Sequence, residues 1–242
     1  MRRQLRLLGA FVAAGACASA LSACGLVPDE TFEDDVTLSE KVTSVRLDIR
    51  TGGVKLRSKQ TVTDVAVHRR IEFSGDKPAA THRVEDGVLV LRGCGEDCEV
   101  SYTVDLPPRV PVSGRTTTGG VSLSGVGKVD VRTDTGAVDL DDVDGTVDVH
   151  TTNGRINGRG LKGDRLRAET SNGAIDVKLA TPQDVRARTS NGAISVTAPD
   201  GRYKVSAETK NGRKNIGVRD DPSGDHRLDL STSNGGITVK KP

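Results

Sequence analysis

The stretch Thr170-Ser171-Asn172-Gly173-Ala174-Ile175 returns nineteen residues later as Thr189-Ser190-Asn191-Gly192-Ala193-Ile194. Five further segments share its Thr, two residues, Gly, one residue, aliphatic pattern, with one exception. They are Thr116-Thr117-Thr118-Gly119-Gly120-Val121, Thr133-Asp134-Thr135-Gly136-Ala137-Val138, Thr151-Thr152-Asn153-Gly154-Arg155-Ile156, Thr209-Lys210-Asn211-Gly212-Arg213-Lys214 and Thr232-Ser233-Asn234-Gly235-Gly236-Ile237. Successive glycines of the seven lie 17, 18, 19, 19, 20 and 23 residues apart. The exception is Lys214, where the aliphatic slips to Ile216, so that unit is expected to be distorted.

Each unit reads as two short strands joined at the Gly. Before it, apolar residues and Thr alternate with polar ones, as in Val129, Val131, Thr133 and Leu166, Ala168, Thr170. After it come pairs such as Val138 and Leu140, or Ile194 and Val196. A two-strand unit cannot bury its own apolar face, so neighbours must stack on it at the sheet spacing of about 4.8 Å. The expected fold is an all-β, β-helix-like solenoid with about 17–23 residues per coil and a seven-coil length of roughly 30 Å. Asn153-Gly154, Asn172-Gly173, Asn191-Gly192, Asn211-Gly212 and Asn234-Gly235 then form a ladder of corners. There Gly tolerates positive φ, stacked Asn side chains bond from coil to coil, and Thr hydroxyls pair along the stack. A sandwich of separate hairpins is the rival, because Asn-Gly also favours hairpin turns. It does not require so even a recurrence.

Val45, Leu47 and Ile49 leading into Thr51-Gly52-Gly53-Val54 read as an eighth, N-terminal coil. The rest of residues 43–112 alternates less regularly and is expected to cap the stack, with repeats filling 113–242. Gly235-Gly236-Ile237 to Pro242 is expected to be the terminal coil, its edge guarded by Lys240 and Lys241.

The 242-residue chain is 34% hydrophobic and 2% aromatic, with 28 Gly and no Trp, which argues against a helical bundle or polytopic membrane protein. Arg2, Arg3 and Arg6 precede a short apolar run to Ala23, of signal-peptide size. Arg2-Arg3 is also compatible with twin-arginine export. Removing residues 1–23 leaves 32 basic against 33 acidic residues, without the basic footprint of a nucleic-acid binder. Residues 24–42, rich in Asp and Glu, are expected to form a flexible tether. Export implies an oxidising compartment, where Cys94 and Cys98 read as a local disulfide worth about 2 kcal/mol.

Leu21-Ser22-Ala23-Cys24 resembles the lipobox of bacterial lipoproteins. The resemblance implies cleavage before Cys24, acylation of its thiol and stable membrane attachment. Cys17 is the poorer candidate, with Ala14 where Leu or Val is preferred. From residue 43 onward, Leu106-Pro107-Pro108 followed by the Thr-x-x-Gly-x-[Val/Ile] repeats resembles a bacterial β-strand-repeat family catalogued as putative adhesins, a domain of unknown function. That resemblance implies architecture and a surface role, with no catalytic residues and no cofactor.

Candidate chemistry is sparse. Asp139, Asp141, Asp142, Asp144 and Asp148 are dense enough for Ca²⁺, but Val143 and His150 break the EF-hand template, and a solvated face is the simpler reading. Arg155, Arg159, Lys162, Arg165 and Arg167 follow, a step in charge that suits an anionic wall polymer, a peptide or a second copy. Asp148, His150 and Arg155 are the residues a polysaccharide-cleaving β-helix would use. His68, His82, His150 and His226 lie far apart, with no Gly-x-Ser-x-Gly elbow and no phosphate loop. The expected protein is a non-enzymatic, lipid-anchored cell-envelope scaffold on the extracytoplasmic face. It would be a monomer binding a wall polymer, peptide or envelope protein. A self-assembling envelope element and a carbohydrate-active enzyme are the alternatives.

Overall fold

The computed structural model describes residues 30–59 and 64–242. These form twenty-one strands. In the N-terminal part they are β1 (Glu30–Leu38), β2 (Ser44–Thr51), β3 (Val54–Ser58), β4 (Val65–Phe73), β5 (His82–Glu85), β6 (Val88–Arg92) and β7 (Cys98–Leu106). The repeats supply β8 (Val112–Thr118), β9 (Val121–Ser124), β10 (Val129–Thr135), β11 (Val138–Asp141), β12 (Val147–Asn153), β13 (Ile156–Leu161) and β14 (Arg165–Asn172). They continue as β15 (Ile175–Leu179), β16 (Asp184–Asn191), β17 (Ile194–Thr197), β18 (Tyr203–Asn211), β19 (Lys214–Ile216), β20 (His226–Asn234) and β21 (Ile237–Lys240).

Each repeat sends its first strand to one sheet and its second to another. The larger sheet runs β1-β4-β7-β3-β9-β11-β13-β15-β17-β21-β19, the smaller β5-β6-β2-β8-β10-β12-β14-β16-β20-β18. Strands flanking one Asn-Gly do not pair with each other but with the same strands of the next coil, in parallel. That is a solenoid and not a series of hairpins. Val129, Val147, Leu166, Val185 and Leu228 therefore stand in one column, each fully or almost fully buried. The inner faces of the two sheets interlock into one aliphatic core.

Four of the five Asn-Gly corners are built differently from the expectation. At Gly154, Gly173, Gly192 and Gly212 the backbone φ lies outside the positive range that favours glycine, whereas Gly235, at 157°, lies within it. Glycine is required at the four by contact. A Cβ on Gly173 would sit 1.9 Å from the carbonyl oxygen of Gly154, and one on Gly192 2.0 Å from that of Gly173. Each corner carbonyl thus occupies the space a side chain would need one coil on. The Thr hydroxyls do not pair with each other either. Thr170 donates to the Gly154 carbonyl, Thr189 to that of Gly173 and Thr232 to that of Gly192, each at 2.9 Å. The asparagine ladder is continuous over five coils: Asn172 donates to Asn153, Asn191 to Asn172, Asn234 to Asn191 and Asn211 to Asn234, at 2.8–2.9 Å.

The order of that ladder is not the order of the chain. β20 and β21 are inserted between the coil of β16 and β17 and the coil of β18 and β19, so residues 203–216 and not 235–242 end the stack. Leu228, Leu230, Ile237 and Val239 are all buried in the inserted coil. Beyond buried Tyr203, the end coil offers half-buried Val205, Ala207 and Ile216, and an exposed Lys214 in register with Ile237. The more apolar coil is placed where both its faces are covered, and Lys214 sits at an edge that water reaches.

At the other end, β2 and β3 form the expected extra coil, followed by a coil of β6 and β7. Its corner is the loop closed by the Cys94–Cys98 disulfide. Antiparallel strands finish both sheets: β5 on β6, then β4 on β7 and β1 on β4. The flexible-tether expectation fails for residues 30–38, because Phe32, Val36 and Leu38 alternate inward and lie half-buried while β1 pairs along its whole length. Acidic composition hid a period-two strand.

Stacking contact and turn conformation make different predictions. Gly173→Ala and Gly173→Asn should both destabilise by about 3 kcal/mol in chemical denaturation, since any Cβ meets the Gly154 carbonyl. Asn172→Ala should cost no more than about 1 kcal/mol, from exposed hydrogen bonds alone. A well-tolerated Gly173→Asn would restore the positive-φ explanation.

Candidate functional site

Parallel in-register stacking turns every outward position into a row. On the smaller sheet one such row reads Asp48, Arg115, Arg132, His150, Glu169, Arg188, Ser231, Glu208 from coil to coil. A second reads Arg46, Ser113, Asp130, Asp148, Arg167, Arg186, Asp229. The face is net acidic over β10 and β12, where Asp130, Asp134 and Asp148 stand against Arg132, and net basic over β14 and β16, where Arg165, Arg167, Arg186 and Arg188 stand against Glu169 and Asp184.

The residues singled out in sequence are dispersed by this geometry. Asp139 and Asp141 face outward on β11, where Asn157 donates to Asp139 at 2.7 Å and Arg159 pairs with Asp141 at 2.7 Å. Asp142 binds Lys162 and Asp144 binds Arg109, while Asp148 lies on the other sheet. Among the described residues no group of three His, Cys, Asp or Glu side chains is placed to hold a metal ion. The five basic residues from Arg155 to Arg167 are likewise divided between a corner and both sheets. His68 and His150 lie on different sheets, His82 is partly buried in the cap, and His226 packs near Tyr203 with ring centroids 6.0 Å apart. Cys24 and Cys17 fall outside the described residues. No helix among the described residues is long and apolar enough to cross a membrane.

Two features escaped the sequence reading. The first is an open groove of about 1070 Å³ across β2, β8 and β10, lined by Arg46, Arg50, Arg115 and Arg132 among carboxylates. Gly114 lines it: it occupies an inward column between Leu47 and Val131, and its φ of 118° lets the β8 backbone lie where a Cβ would meet the Leu47 carbonyl. The signal was a glycine standing where the repeat places an aliphatic. Arg50 is held by Glu96 of the disulfide loop at 2.7 Å.

The second is a buried polar clamp inside the cap. Arg69 projects inward from β4 with its side chain 8% exposed and grips Asp34 of β1 through Nε to Oδ1 at 2.8 Å and Nη2 to Oδ2 at 2.6 Å. Its Nη1 donates to Thr81 Oγ1 at 3.0 Å, and the Tyr102 hydroxyl lies 2.8 Å from the carbonyls of Thr81 and Arg92. The hydrogen bonds from Arg69 hold the Asp34 carboxyl below the usual carboxylate range. Burial pushes the Tyr102 phenol up to about 12. Burial, reinforced by the charge of Arg69, pushes the His82 imidazole down, and its buried Nδ1 has no hydrogen-bond partner.

The Asp34 and His82 shifts both favour the deprotonated form in the folded state, so both stabilise the cap at neutral pH and withdraw as protons are added. His82 acts first, below its unfolded value of about 6.5, on the cap around β5, and Asp34 below about 3.9, on docked β1. Amide exchange should therefore accelerate on acidification first around β5 and only at lower pH in residues 30–38. Asp34→Asn should expose the strand already at pH 7, whereas β12 to β16 stay protected. Uniform acceleration over all strands would contradict this.

A family model described as Toastrack DUF4097 matches residues 111–240. No curated protein matches the chain. Among solved structures, a putative adhesin from Bacteroides fragilis is 15% identical with a TM-score of 0.48, the alignment covering 89% of this chain and 99% of that one. A putative cell adhesion protein from Clostridium sporogenes is 13% identical with a TM-score of 0.37, over 88% of this chain and 100% of that one. A putative adhesin from Parabacteroides merdae is 12% identical with a TM-score of 0.44, over 88% and 96%. The family model spans more than half of the chain and takes in every repeat strand from β8 to β21, and by that match the chain belongs to the Toastrack DUF4097 family.

Proposed function

We propose that the chain is a lipid-anchored, non-enzymatic scaffold of the bacterial cell envelope, an adhesin-like protein that holds a partner against its outward rows. The observation that carries this reading is the register of those rows. Side chains repeat at the strand spacing along two sheets, which suits a partner that is itself extended and repetitive. The lipobox-like Leu21-Ser22-Ala23-Cys24 supports an anchor, and the Cys94–Cys98 bridge fits an oxidising compartment outside the cytoplasm. Exposed edge strands argue for a monomer: β18 carries Lys204 and Lys210 at its ends, and β19 is three residues long and begins with Lys214.

Cys24→Ser should move the protein from the membrane to the soluble fraction of cells. The purified variant should sediment as a monomer and be retained by an envelope fraction without releasing soluble sugars from it. Release of sugars would replace the scaffold with an enzyme, and concentration-dependent polymers would favour a structural filament.

A further inference from the structure

We infer that the outer face of the smaller sheet over β14, β16, β20 and β18 is a docking site for a linear polyanion, a polymer bearing phosphate or carboxylate groups. This rests on the scaffold reading above and names the partner's chemistry. Five arginines project from β14, β16 and β20: Arg165, Arg167, Arg186, Arg188 and Arg227. With Lys204 and Lys210 of β18 they outnumber the four outward carboxylates, of which Glu169, Asp184 and Asp229 are engaged within the fold and Glu208 stands exposed on β18. Glu169 takes both Arg167 nitrogens at 3.1 Å and stands 3.8 Å from Arg186, and Asp229 binds Arg188 at 3.3 Å. Asp184 accepts the backbone N–H of Arg227 at 2.8 Å.

The remaining cations have no such partner. Arg165, Arg227 and Lys204 are exposed, and their side chains form no ion pair among the described residues. Register places Arg165 beside Asp184 and Lys204 beside Arg227, so these residues form one row across four strands, roughly 14 Å long at the sheet spacing. Arg165, Arg186 and Arg227, with Asp184 and Asp229, line a shallow depression of about 330 Å³, the two carboxylates already engaged within the fold. A guanidinium is weakly hydrated and forked, and suits oxyanions better than an ammonium does. A row of them, each contact weak alone, holds a polymer through multivalency. The acidic β10 and β12 bound the site and would repel the same chain, which fixes where it lies.

The test uses the full chain carrying Cys24→Ser, with inorganic polyphosphate and poly-L-glutamate as probes in a salt series. At least one probe should bind, and the tighter of the two identifies phosphate or carboxylate as the charge recognised. Arg165→Gln with Arg227→Gln should weaken binding roughly tenfold and lower the salt slope by about one per arginine. Lys55→Gln with Arg155→Gln removes equal charge at exposed sites away from this face and should change affinity less than about twofold. Equal loss in both pairs, or no binding to either probe by the unaltered face, overturns the inference. Circular dichroism confirms that each variant keeps its strands. Should the Arg165/Arg227 pair leave retention by an envelope fraction unchanged, this face is not the docking site and the scaffold reading survives. Should the chain with its arginines intact not be retained, the scaffold reading itself falls.

Discussion

A peptide carbonyl pointing into the space where the next coil's Cβ would be is the contact on which this molecule depends. It recurs from Gly119 against Gly52 to Gly212 against Gly235, always within 1.9–2.0 Å of an imagined Cβ. Because the corner has no side chain, successive coils approach to hydrogen-bonding distance there. The Gly173 N–H reaches the Asn191 carbonyl at 2.9 Å, and Thr170 closes from the inside onto Gly154. Once the corners are locked, register along both flanking strands follows. A slip by one residue would turn each aliphatic column into solvent and each arginine into the core.

Periodicity made the solenoid legible, since a two-strand unit with one apolar face has to be covered by its own copy. The Asn-Gly ladder was legible for the same reason, although the physics assigned to its glycine was incomplete: conformational freedom and close approach both select Gly, and a sequence does not separate them. Coil order was not legible. It turns on a comparison between Leu228, Leu230, Ile237 and Val239 on one side and Val205, Ala207, Lys214 and Ile216 on the other. That comparison acts across space and not along the chain. The strand at residues 30–38 was missed because its acidic residues dominate the composition, whereas its pairing is decided by three inward apolar side chains and one salt bridge to Arg69.

The charged faces show the same limit. In sequence the bases from Arg155 to Arg167 look like one cluster, but the coil distributes them among a corner and two sheets. The basic face instead collects single residues from coils that are distant in the chain, such as Arg165, Arg186 and Arg227. Local runs of charge therefore mislead in a solenoid, and the informative unit is the column. Gly114 makes the point for shape, since its absence of a side chain matters only because Leu47 and Val131 flank it in the stack.

The inserted coil has a consequence for how the molecule comes into being. Within the sheets β18 pairs with β20 alone and β19 with β21 alone, so residues 203–216 have no ladder to join until residues 226–240 exist beside them. A chain emerging N-terminus first, from a ribosome or through a translocation pore, can wind every earlier coil as it appears. It must then wait, with one segment unpaired, for residues 226–240 to thread the vacancy. Completion of the rod is thereby tied to the arrival of residues 226–240, and a chain cut before them forfeits two coils instead of one.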